Sequence, residues 1–347
     1  MSEGKKLKIA VLFGGTSAER KVSIASGIKI AEALLRRSHQ VIAIDTAGGF
    51  VQIDLKGNYA VGAIPPDEKS LSSLDDRYLT TRLNERDLAD LDVVFIGLHG
   101  GHGEDGTIQA LLNLSNVTYT GSDVLASAAA MDKAFSKMVF KLNGIPTPEW
   151  LLYRSTALND TNAAKREIIS TVGFPLVIKP NAQGSTVGLS IVNSENEIAP
   201  ALKLAFEYDS RILAEKYIAG RELTVAIVGD YDLPVIEIVP EGGFYSYECK
   251  YTSGKSKYIC PAVLPTDLAE KCKQLGRKAF DVLGCRDYGR VDFRLRGGEE
   301  LYCLEVNTLP GMTPTSLVPK AMKAIGIEFD ELIEIIANLA VRRKSEK

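Results

Sequence analysis

The chain has 347 residues, of which 45% are hydrophobic and 24% are charged. This composition is typical of a folded globular protein and excludes a disordered chain, and the length suggests two or three domains. The 44 acidic residues exceed the 41 basic residues by three, so the charge balance does not call for a nucleic acid or an anionic membrane as partner. No stretch approaches the roughly 18 apolar residues of a membrane span, and the apolar run at 9–13 is too short for a signal peptide.

Cysteine usage favours a reducing compartment. The cysteines are odd in number and no pair has the C-x-x-C spacing, so a disulfide framework is not expected. They are Cys249, Cys260, Cys272, Cys285 and Cys303. We expect reduced thiols and a cytoplasmic protein.

The first 120 residues predict a doubly wound α/β unit. Short β-branched runs at 7–13, 41–44 and 92–96 are typical of strands buried in a parallel sheet. An apolar stripe that begins near Val22 predicts a helix between the first two strands. The third strand ends in a glycine-rich loop at 98–106, and in such sheets the loops beyond the carboxyl ends of the strands carry ligands.

A proline-containing segment at 143–148 marks a change of region. The sequence then predicts an α+β unit with helices at 163–172 and 195–206. Its strands are predicted at 149–153, 176–179, 187–191 and 212–215. We place the domain boundaries so that the domains span 1–130, 131–219 and 220–347.

The last region is antiparallel in character, with strands predicted at 223–228 and 235–238 and a hairpin near residue 300. Helices are predicted at 267–283 and 328–342. Between the strand at 235–238 and the helix at 267–283, the polar and tyrosine-rich stretch 242–258 is a poor helix and a poor strand. A loop of that length is usually a functional lid or disordered.

The segment 289–307 carries the best physical argument for a site. Gly297-Gly298 between two alternating runs predicts a two-residue hairpin turn. With that turn, Asp292 faces Cys303 and Arg290 faces Glu305. One face is then apolar and consists of Val291, Phe293, Leu295, Tyr302, Leu304 and Val306. The other face consists of Arg290, Asp292, Glu305 and Asn307.

In this register Asp292 and Glu305 are diagonal neighbours within roughly 7–8 Å. Two carboxylates at this separation suit Mg²⁺, which proteins hold with one or two carboxylates plus substrate phosphates. Arg290 beside them suits a phosphate or a developing oxyanion. A solvated sheet face with a surface Arg–Glu pair explains the same residues about as well, although the amide of Asn307 favours the metal.

Lys133 and Lys179 are candidates for gripping a phosphate tail. Lys179 ends a predicted buried strand just before the small residues Gly184 and Ser185, whose backbone N–H groups are suitable donors. A lysine that reaches the surface remains the alternative for either residue alone. The chain has no G-x-x-x-x-G-K-[ST] motif, which excludes a P-loop.

A second glycine pattern at 101–106 fits the dinucleotide fingerprint G-x-G-x-x-G, with Asp123 about twenty residues further on. Glu104 and Asp105 lie inside this loop, where they would repel a pyrophosphate at a helix N-terminus. His99 and His102 with Glu104 form at most a weak metal motif. A dinucleotide-dependent oxidoreductase is therefore an alternative that the acidic loop residues disfavour.

Taken together, the motifs resemble the D-alanine–D-alanine ligase family of ATP-grasp enzymes. They occur in order over nearly the whole chain and are GGTSAER at 14–20, HGxxGEDGTIQ at 99–109, YTGS at 119–122, MDK at 131–133, VIKP at 177–180, GSTVG at 184–188, KY at 250–251, GRVD at 289–292, EVNTLPGM at 305–312 and SLVP at 316–319. The resemblance implies an N-terminal α/β domain followed by a two-part ATP-grasp fold. It also implies ligation of two D-alanines for peptidoglycan precursor synthesis, through a D-alanyl phosphate, and a homodimer.

The resemblance assigns the residues that bind ATP and metal. Two Mg²⁺ or Mn²⁺ ions would be held by Asp292, Glu305 and Asn307. The nucleotide would be bound by Lys133, Lys179, Glu215, Lys216, Tyr217, Ile218, Glu222, Lys250 and Asn307. Within that set the two lysines 133 and 179 contact phosphates, residues 215–218 line the adenine slot, and Glu222 meets the ribose.

The resemblance also assigns the residues for the two amino acids. Glu19 would hold the ammonium of the first D-alanine in a network with Ser185 and Tyr251, and His99 would lie by its carboxylate. The oxyanion hole would be Arg290 and the backbone N–H of Gly311. The carboxylate of the second D-alanine would bind Ser316, and Leu317 would shape the pocket for its side chain. Another ATP-grasp carboxylate–amine ligase remains the main alternative, since it would need the metal hairpin but not Glu19 or Ser316.

Overall fold

The computed structural model of the chain describes residues 6–47, 49–51, 90–241 and 255–345. Lys250, Tyr251, Cys249 and most of the predicted lid at 242–258 lie outside the described residues. Within the described parts, no helix is long and apolar enough to cross a membrane.

The N-terminal sheet has the order β3-β2-β1-β4. Its strands are β1 (Lys8–Phe13), β2 (Gln40–Asp45), β3 (Gly49–Val51) and β4 (Val93–Ile96). The strand β1 pairs in parallel with both β2 and β4, and β3 adds an antiparallel edge. Helix α1 (Arg20–Arg36) connects β1 to β2, and α2 (Thr107–Leu114) follows the glycine-rich loop after β4. The predicted parallel sheet is confirmed, since apolar runs buried on both faces are what such a sheet needs.

Two further helices, α3 (Val124–Met131) and α4 (Lys133–Leu142), were not predicted from the sequence. Aspartates cap both of them. The Asp123 side chain accepts a hydrogen bond from the N–H of Ala126, and the Asp132 side chain accepts one from the N–H of Phe135. Such caps satisfy the free N–H groups of a first helical turn. The Asp132 cap therefore fixes the start of α4 and places Lys133 at its first position.

The central sheet is antiparallel and has the order β5-β8-β6-β7. Its strands are β5 (Trp150–Arg154), β6 (Leu176–Pro180), β7 (Ser190–Val192) and β8 (Arg211–Lys216), and its helices are α5 (Thr161–Thr171) and α6 (Glu195–Phe206). The helices pack on the sheet through a core that includes Ile168, Ile178 and Leu202. The strand predicted at 187–191 begins only at Ser190, because a turn occupies residues 185–188.

The C-terminal sheet is antiparallel with the order β11-β10-β9-β12-β13. Its strands are β9 (Arg221–Val228), β10 (Ile236–Pro240), β11 (Ser256–Ile259), β12 (Tyr288–Arg296) and β13 (Glu300–Asn307). The helices of this region are α7 (Thr266–Val282), α8 (Leu317–Ala324) and α9 (Phe329–Ser345). A loop was expected up to residue 258, but residues 256–258 belong to β11, which pairs with β10. Helix α8 was also missed.

The register of the β12–β13 hairpin differs from the predicted one. The connection has three residues, 297–299. From there the strands pair without interruption, from Arg296 with Glu300 to Phe293 with Cys303. The register then shifts by one residue, so that Asp292 pairs with Glu305. The predicted pairs of Asp292 with Cys303 and of Arg290 with Glu305 are therefore wrong.

The shift also corrects the composition of the two faces. A three-residue connection reverses which face the next strand presents, and the irregularity at Leu304 reverses it once more. Near the turn, Leu301 and Cys303 therefore join the buried apolar face in place of the predicted Tyr302 and Leu304. Beyond the irregularity, Glu305 and Asn307 return to the face predicted for them.

The four cysteines within the described residues are free thiols, as expected from their spacing. Burial raises the pKa of Cys272 and of Cys285 to about 12. Burial also raises the pKa of Cys303. These thiols therefore remain protonated at neutral pH and act as small apolar residues of the core.

An ionic contact ties the start of β12 to the N-terminal sheet. The carboxylate of Asp287 accepts hydrogen bonds from the Arg343 guanidinium and from the N–H of Gly121 (2.9 Å). Arg343 also donates to the carbonyl of Tyr119 at 2.7 Å. The contact joins α9, the residue before β12 and the loop after α2, and thereby fixes the start of the strand that carries Arg290 and Asp292.

We expect Arg343→Met to lower the free energy of unfolding by about 1–3 kcal/mol, because it leaves the mostly buried carboxylate of Asp287 without its cation. Urea denaturation followed by circular dichroism measures this loss. The neighbouring exposed residue provides the control, and Arg342→Met is expected to change stability by less than about 0.5 kcal/mol. Equal stability of the two variants would contradict the structural role of the contact.

Candidate active site

Two adjoining cavities lie where the three sheets meet. The larger, of about 510 Å³, lies between the loops of the N-terminal sheet and the end of the β12–β13 hairpin, and we call it the main cavity. The smaller, of about 130 Å³, lies between β6, β8 and the hairpin, and we call it the slot. Four residues line both and form the passage between them. These are Lys133, Gly184, Ser185 and Glu305.

The structure brings together every predicted site residue that it describes. The main cavity is lined by Glu19, His99, Lys133, Ser185, Arg290, Glu305, Asn307, Gly311, Ser316 and Leu317. The slot is lined by Lys133, Lys179, Ser185, Glu215, Lys216, Tyr217, Ile218, Glu222, Asp292 and Glu305. Lys250 and Tyr251 were also predicted and lie outside the described residues.

The acidic pair lies at the passage and is surrounded by donors. Arg290 donates two hydrogen bonds to the Asp292 carboxylate, at 2.9 and 2.8 Å. The Thr224 hydroxyl donates a third at 2.6 Å. The Lys133 ammonium lies 3.3 Å from the Glu305 carboxylate. Two like charges directly across a strand pair are unfavourable alone, so these cations stabilise the arrangement.

The donor set fits a hard divalent cation. Asp292 and Glu305 are cross-strand partners, and Asn307 lies on the same face of β13 and contributes an amide oxygen. Nowhere in the described parts do three or more His, Cys, Asp or Glu side chains form a cluster that could hold a metal by itself. A site with two carboxylates and an amide depends on further oxygens from a substrate, as Mg²⁺ sites with phosphates usually do.

The main cavity contains an acid at the start of α1. Glu19 is the residue before the first turn of that helix, and its carboxylate accepts a hydrogen bond from the Ser185 hydroxyl. Gly184 allows this approach, since a Cβ there would lie 2.4 Å from Glu19 Oε2. The next two residues have left-handed backbone conformations, with φ of 51° at Ser185 and 66° at Thr186. Such strain at non-glycine residues clusters at functional sites.

His99 is buried and uses both ring nitrogens. Its Nδ1 lies 2.8 Å from the carbonyl oxygen of Leu309 and must donate to it. In the neutral ring, Nε2 then accepts a hydrogen bond from the Ser26 hydroxyl at 2.9 Å. The Ser26 oxygen in turn accepts from the N–H of Met312. His99 thus joins the loop after β4 to the loop at 309–312, and it shapes the main cavity through that loop.

The far wall of the main cavity is the start of α8. Ser316 is the residue before its first turn, and its hydroxyl oxygen accepts a hydrogen bond from the N–H of Thr313 at 3.0 Å. A Cβ at Gly311 would lie 3.4 Å from this oxygen. Leu317 follows with only 7% of its surface exposed. A helix N-terminus with a hydroxyl beside it is a favourable environment for a carboxylate.

The slot combines a buried ionic cluster with a polar rim. The Lys179 ammonium donates to Glu215, which is also paired with Lys137 at 2.9 Å. Burial raises the pKa of Glu215, but the charges of the two lysines outweigh it and lower the pKa to about 2. At the rim, Arg294 forms an ion pair with Glu222 at 3.0 Å and lies over the ring of Tyr217.

Three residues that support the site were not predicted from the sequence, and these are Ser26, Lys137 and Arg294. Arg294 lies on the same strand face as Asp292, so the alternation of the strand could have identified it. Lys137 follows Lys133 by four residues, which places both on one helix face. No sequence pattern distinguished Ser26 from the other small residues of α1.

Two family models match the chain. The model described as the C-terminus of D-ala D-ala ligase matches residues 139–338. The model described as the N-terminus of D-ala D-ala ligase matches residues 8–122.

Curated relatives and solved structures give the same result. A D-alanine–D-alanine ligase from Halalkalibacterium halodurans is 42% identical over 97% of this chain and 100% of its own. The D-alanine–D-alanine ligase from Syntrophotalea carbinolica is 40% identical over 98% of this chain and 99% of its own length. The crystal structure of D-alanine–D-alanine ligase from Bacillus anthracis complexed with ATP has a TM-score of 0.75 at 31% identity, covering 98% of this chain and all of that one. The crystal structure of the VanG D-Ala:D-Ser ligase from Enterococcus faecalis has a TM-score of 0.76 at 29% identity. The match covers 97% of this chain and 100% of that one.

Proposed function

This chain belongs to the D-alanine–D-alanine ligase family, and we propose that it joins two D-alanines into D-alanyl-D-alanine while ATP is cleaved to ADP and phosphate. The product is a precursor of peptidoglycan. The observation that carries the proposal is the acidic pair Asp292–Glu305, in which Glu305 lines the passage between the slot and the main cavity, and the main cavity contains Glu19 and Ser316. The relatives of about 40% identity that match nearly the full length support the same reaction.

We assign residues 1–130 to a domain for the first D-alanine, 131–219 to the smaller ATP-grasp domain, and 220–347 to the domain with the metal and second-substrate residues. The three sheets support this division, because each contains strands from one of these ranges alone. The slot between the second and third sheets is then the nucleotide site.

ATP binds in the slot, with the adenine against residues 215–218 and the ribose at Glu222. Lys133 and Lys179 hold the phosphates, together with Lys250 according to the sequence resemblance. Asp292, Glu305 and Asn307 would hold two Mg²⁺ or Mn²⁺ ions, which would supply positive charge against the phosphate oxygens. The slot thereby directs the γ-phosphate through the passage toward the main cavity.

The first D-alanine binds in the main cavity, with its ammonium on Glu19 and its carboxylate toward the passage. A carboxylate oxygen attacks the γ-phosphorus, a new P–O bond forms, and the bond between the γ-phosphorus and its bridging oxygen breaks. ADP leaves and D-alanyl phosphate remains. The carboxylate, whose leaving group would be oxide, has thereby become an acyl phosphate, whose leaving group is phosphate. Ser185 supports Glu19 through the hydrogen bond between them.

The second D-alanine binds with its carboxylate at Ser316 and its methyl group near Leu317. Its amine attacks the carbonyl carbon of the acyl phosphate, and Arg290 and the N–H of Gly311 stabilise the resulting oxyanion. Collapse of this intermediate breaks the C–O bond to phosphate and leaves the dipeptide. The Lys250–Tyr251 lid, assigned from the sequence resemblance, closes the site so that water does not hydrolyse the acyl phosphate.

Two alternatives have less support. Another ATP-grasp ligase would share the acidic pair but has no need for the contact between Glu19 and Ser185. A dinucleotide-dependent oxidoreductase would use the glycine loop at 101–106. There, Gly101–Gly103 form a short 3₁₀ turn, and acidic side chains remain within the loop.

Release of ADP in a coupled assay tests the function. We expect turnover with ATP, Mg²⁺ and D-alanine, at least about tenfold less turnover with D-serine or D-lactate as the second substrate, and none with L-alanine. Mass spectrometry should identify D-alanyl-D-alanine as the product. Failure of D-alanine to stimulate ADP release would end this proposal, and tight NADH binding without ATP binding would favour the oxidoreductase.

We further propose a cytoplasmic homodimer that requires neither a nucleic acid nor a membrane. ATP is a cytoplasmic substrate, and the free thiols agree with a reducing compartment. Helices α2, α3 and α4 expose the apolar side chains of Leu114, Leu125 and Leu142, by 88%, 74% and 86%. Light scattering coupled to size exclusion is expected to give about twice the mass of one chain, and a monomer at micromolar concentration would contradict the dimer.

A further inference from the structure

A buried lysine lies directly behind the slot. Lys137 belongs to α4, one turn beyond Lys133, and its side chain has no exposed surface. Its ammonium lies 2.9 Å from Glu215 Oε2 and donates to the Thr147 hydroxyl at 2.8 Å. Lys137 lines neither the slot nor the main cavity. Any effect of Lys137 on a ligand in the slot would therefore pass through Glu215 and not through direct contact.

Glu215 is a buried carboxylate shared by two ammonium groups. Lys179 contacts Oε1 from within the slot, and Lys137 contacts Oε2 from behind it. Burial raises the pKa of Glu215, yet the two lysines lower it to about 2. Burial lowers the pKa of Lys137, and Glu215 opposes that shift. The carboxylate is therefore ionised at neutral pH and needs a cation beside it.

We propose that Lys137 is a positioning residue that keeps Glu215 paired when Lys179 turns from Glu215 to the phosphates of bound ATP. The proposal rests on the proposed function, since it requires ATP in the slot. With Lys137 in place, release of Lys179 leaves one carboxylate with one ammonium. Without Lys137, the same movement leaves a buried charge alone, which is strongly unfavourable. Lys179 then stays on Glu215, and ATP binds weakly.

The same helix supplies a matched control. The ammonium groups of Lys137 and Lys141 lie 5.7 and 5.8 Å from the centre of the Trp150 ring. The Lys141 side chain is 67% exposed, and its nearest acid is Glu149 at 3.9 Å. Lys141 thus has a similar sequence context and the same aromatic neighbour as Lys137, but no contact with Glu215.

Calorimetric titration with ATP and Mg²⁺ tests the proposal, together with steady-state kinetics. We expect Lys137→Met to weaken ATP binding at least about tenfold, while the KM for D-alanine stays within about twofold. Lys141→Met should leave both unchanged. In a Glu215→Gln background there is no charge to pair, so Lys137→Met should change ATP affinity less than about threefold.

A merely structural role predicts other results. Equal loss of ATP affinity in the two backgrounds, unchanged affinity in Lys137→Met, or equal weakening of D-alanine binding would each overturn the proposal. If Lys137→Met does not fold, the double variant Lys137→Met/Glu215→Gln provides the test. It is expected to fold and to bind ATP as tightly as Glu215→Gln alone. Failure to fold, or weaker ATP binding, would overturn the proposal. If the unaltered protein does not bind ATP, the proposed function itself is wrong.

Discussion

Glu305→Gln is expected to reduce kcat by about a thousandfold or more while the fold remains intact. The variant loses one of the two carboxylates at the passage, and with it several kcal/mol of charge stabilisation in the phosphoryl transfer. The lost charge also leaves the Lys133 ammonium without its acidic partner at 3.3 Å. Because the Glu305 side chain is 30% exposed and glutamine has the same shape, the free energy of unfolding should change by less than about 1 kcal/mol.

The effect should appear in the Mg²⁺ dependence as well as in kcat. We expect the Mg²⁺ concentration for half-maximal activity to rise at least about tenfold, since a metal ligand has been removed. Glu300→Gln is the control, because Glu300 begins the same strand and forms an exposed pair with Arg296. Loss of the circular dichroism spectrum in Glu305→Gln would show that the residue is structural. Normal turnover would exclude it from the metal site.

Arg290→Lys is expected to lower kcat by about 10²–10³-fold, the usual effect of removing one oxyanion donor. A lysine keeps the positive charge but cannot reproduce the paired hydrogen bonds that Arg290 directs to Asp292. The KM for ATP is expected to change less than about fivefold, because Arg290 lines the main cavity and not the slot. Steady-state kinetics at saturating substrates separate these two effects.

Arg296→Lys is the control for this prediction. Arg296 ends the same strand on the same face, and it pairs with Glu300 at an exposed position. It is expected to keep kcat within about twofold of the unaltered protein. A similar kcat for Arg290→Lys and Arg296→Lys would contradict the assignment of Arg290 to the reaction.

Much of the fold could be predicted because strongly patterned segments have one favourable structure. The continuous apolar run at 7–13 fits a strand buried on both faces, and the stripe of α1 fits the period of a helix. The helix predicted at 195–206 has the bounds that the structure gives. Helix α3 was missed because its short alanine-rich segment lacks a clear apolar stripe. Helix α4 does have such a stripe, at Phe135, Met138, Val139 and Leu142, but neither this stripe nor the aspartate caps were used in the prediction.

The part of the candidate site that lies on the hairpin could be predicted, because side chains alternate between the two faces of a strand. The polar face of the hairpin was identified from alternation alone, although its register was wrong. The extra residue in the turn and the one at Leu304 together shift the register by two. Both acids therefore stay on the predicted face, and Asp292 and Glu305 meet directly and not diagonally. Contacts between distant segments could not be derived this way. The bond from Ser185 to Glu19 joins residues 166 positions apart, and only the resemblance to a family pointed to it.

In the proposed mechanism, transfer of the γ-phosphoryl group of ATP activates the carboxylate of the first D-alanine. The most direct test uses D-alanine whose carboxylate carries a heavy oxygen isotope, with mass analysis of the phosphate released. An acyl phosphate intermediate predicts that one heavy oxygen atom passes into each phosphate, because the attacking carboxylate oxygen stays with phosphorus when the amide forms. Phosphate free of the label would contradict the mechanism, whatever the rate of dipeptide formation.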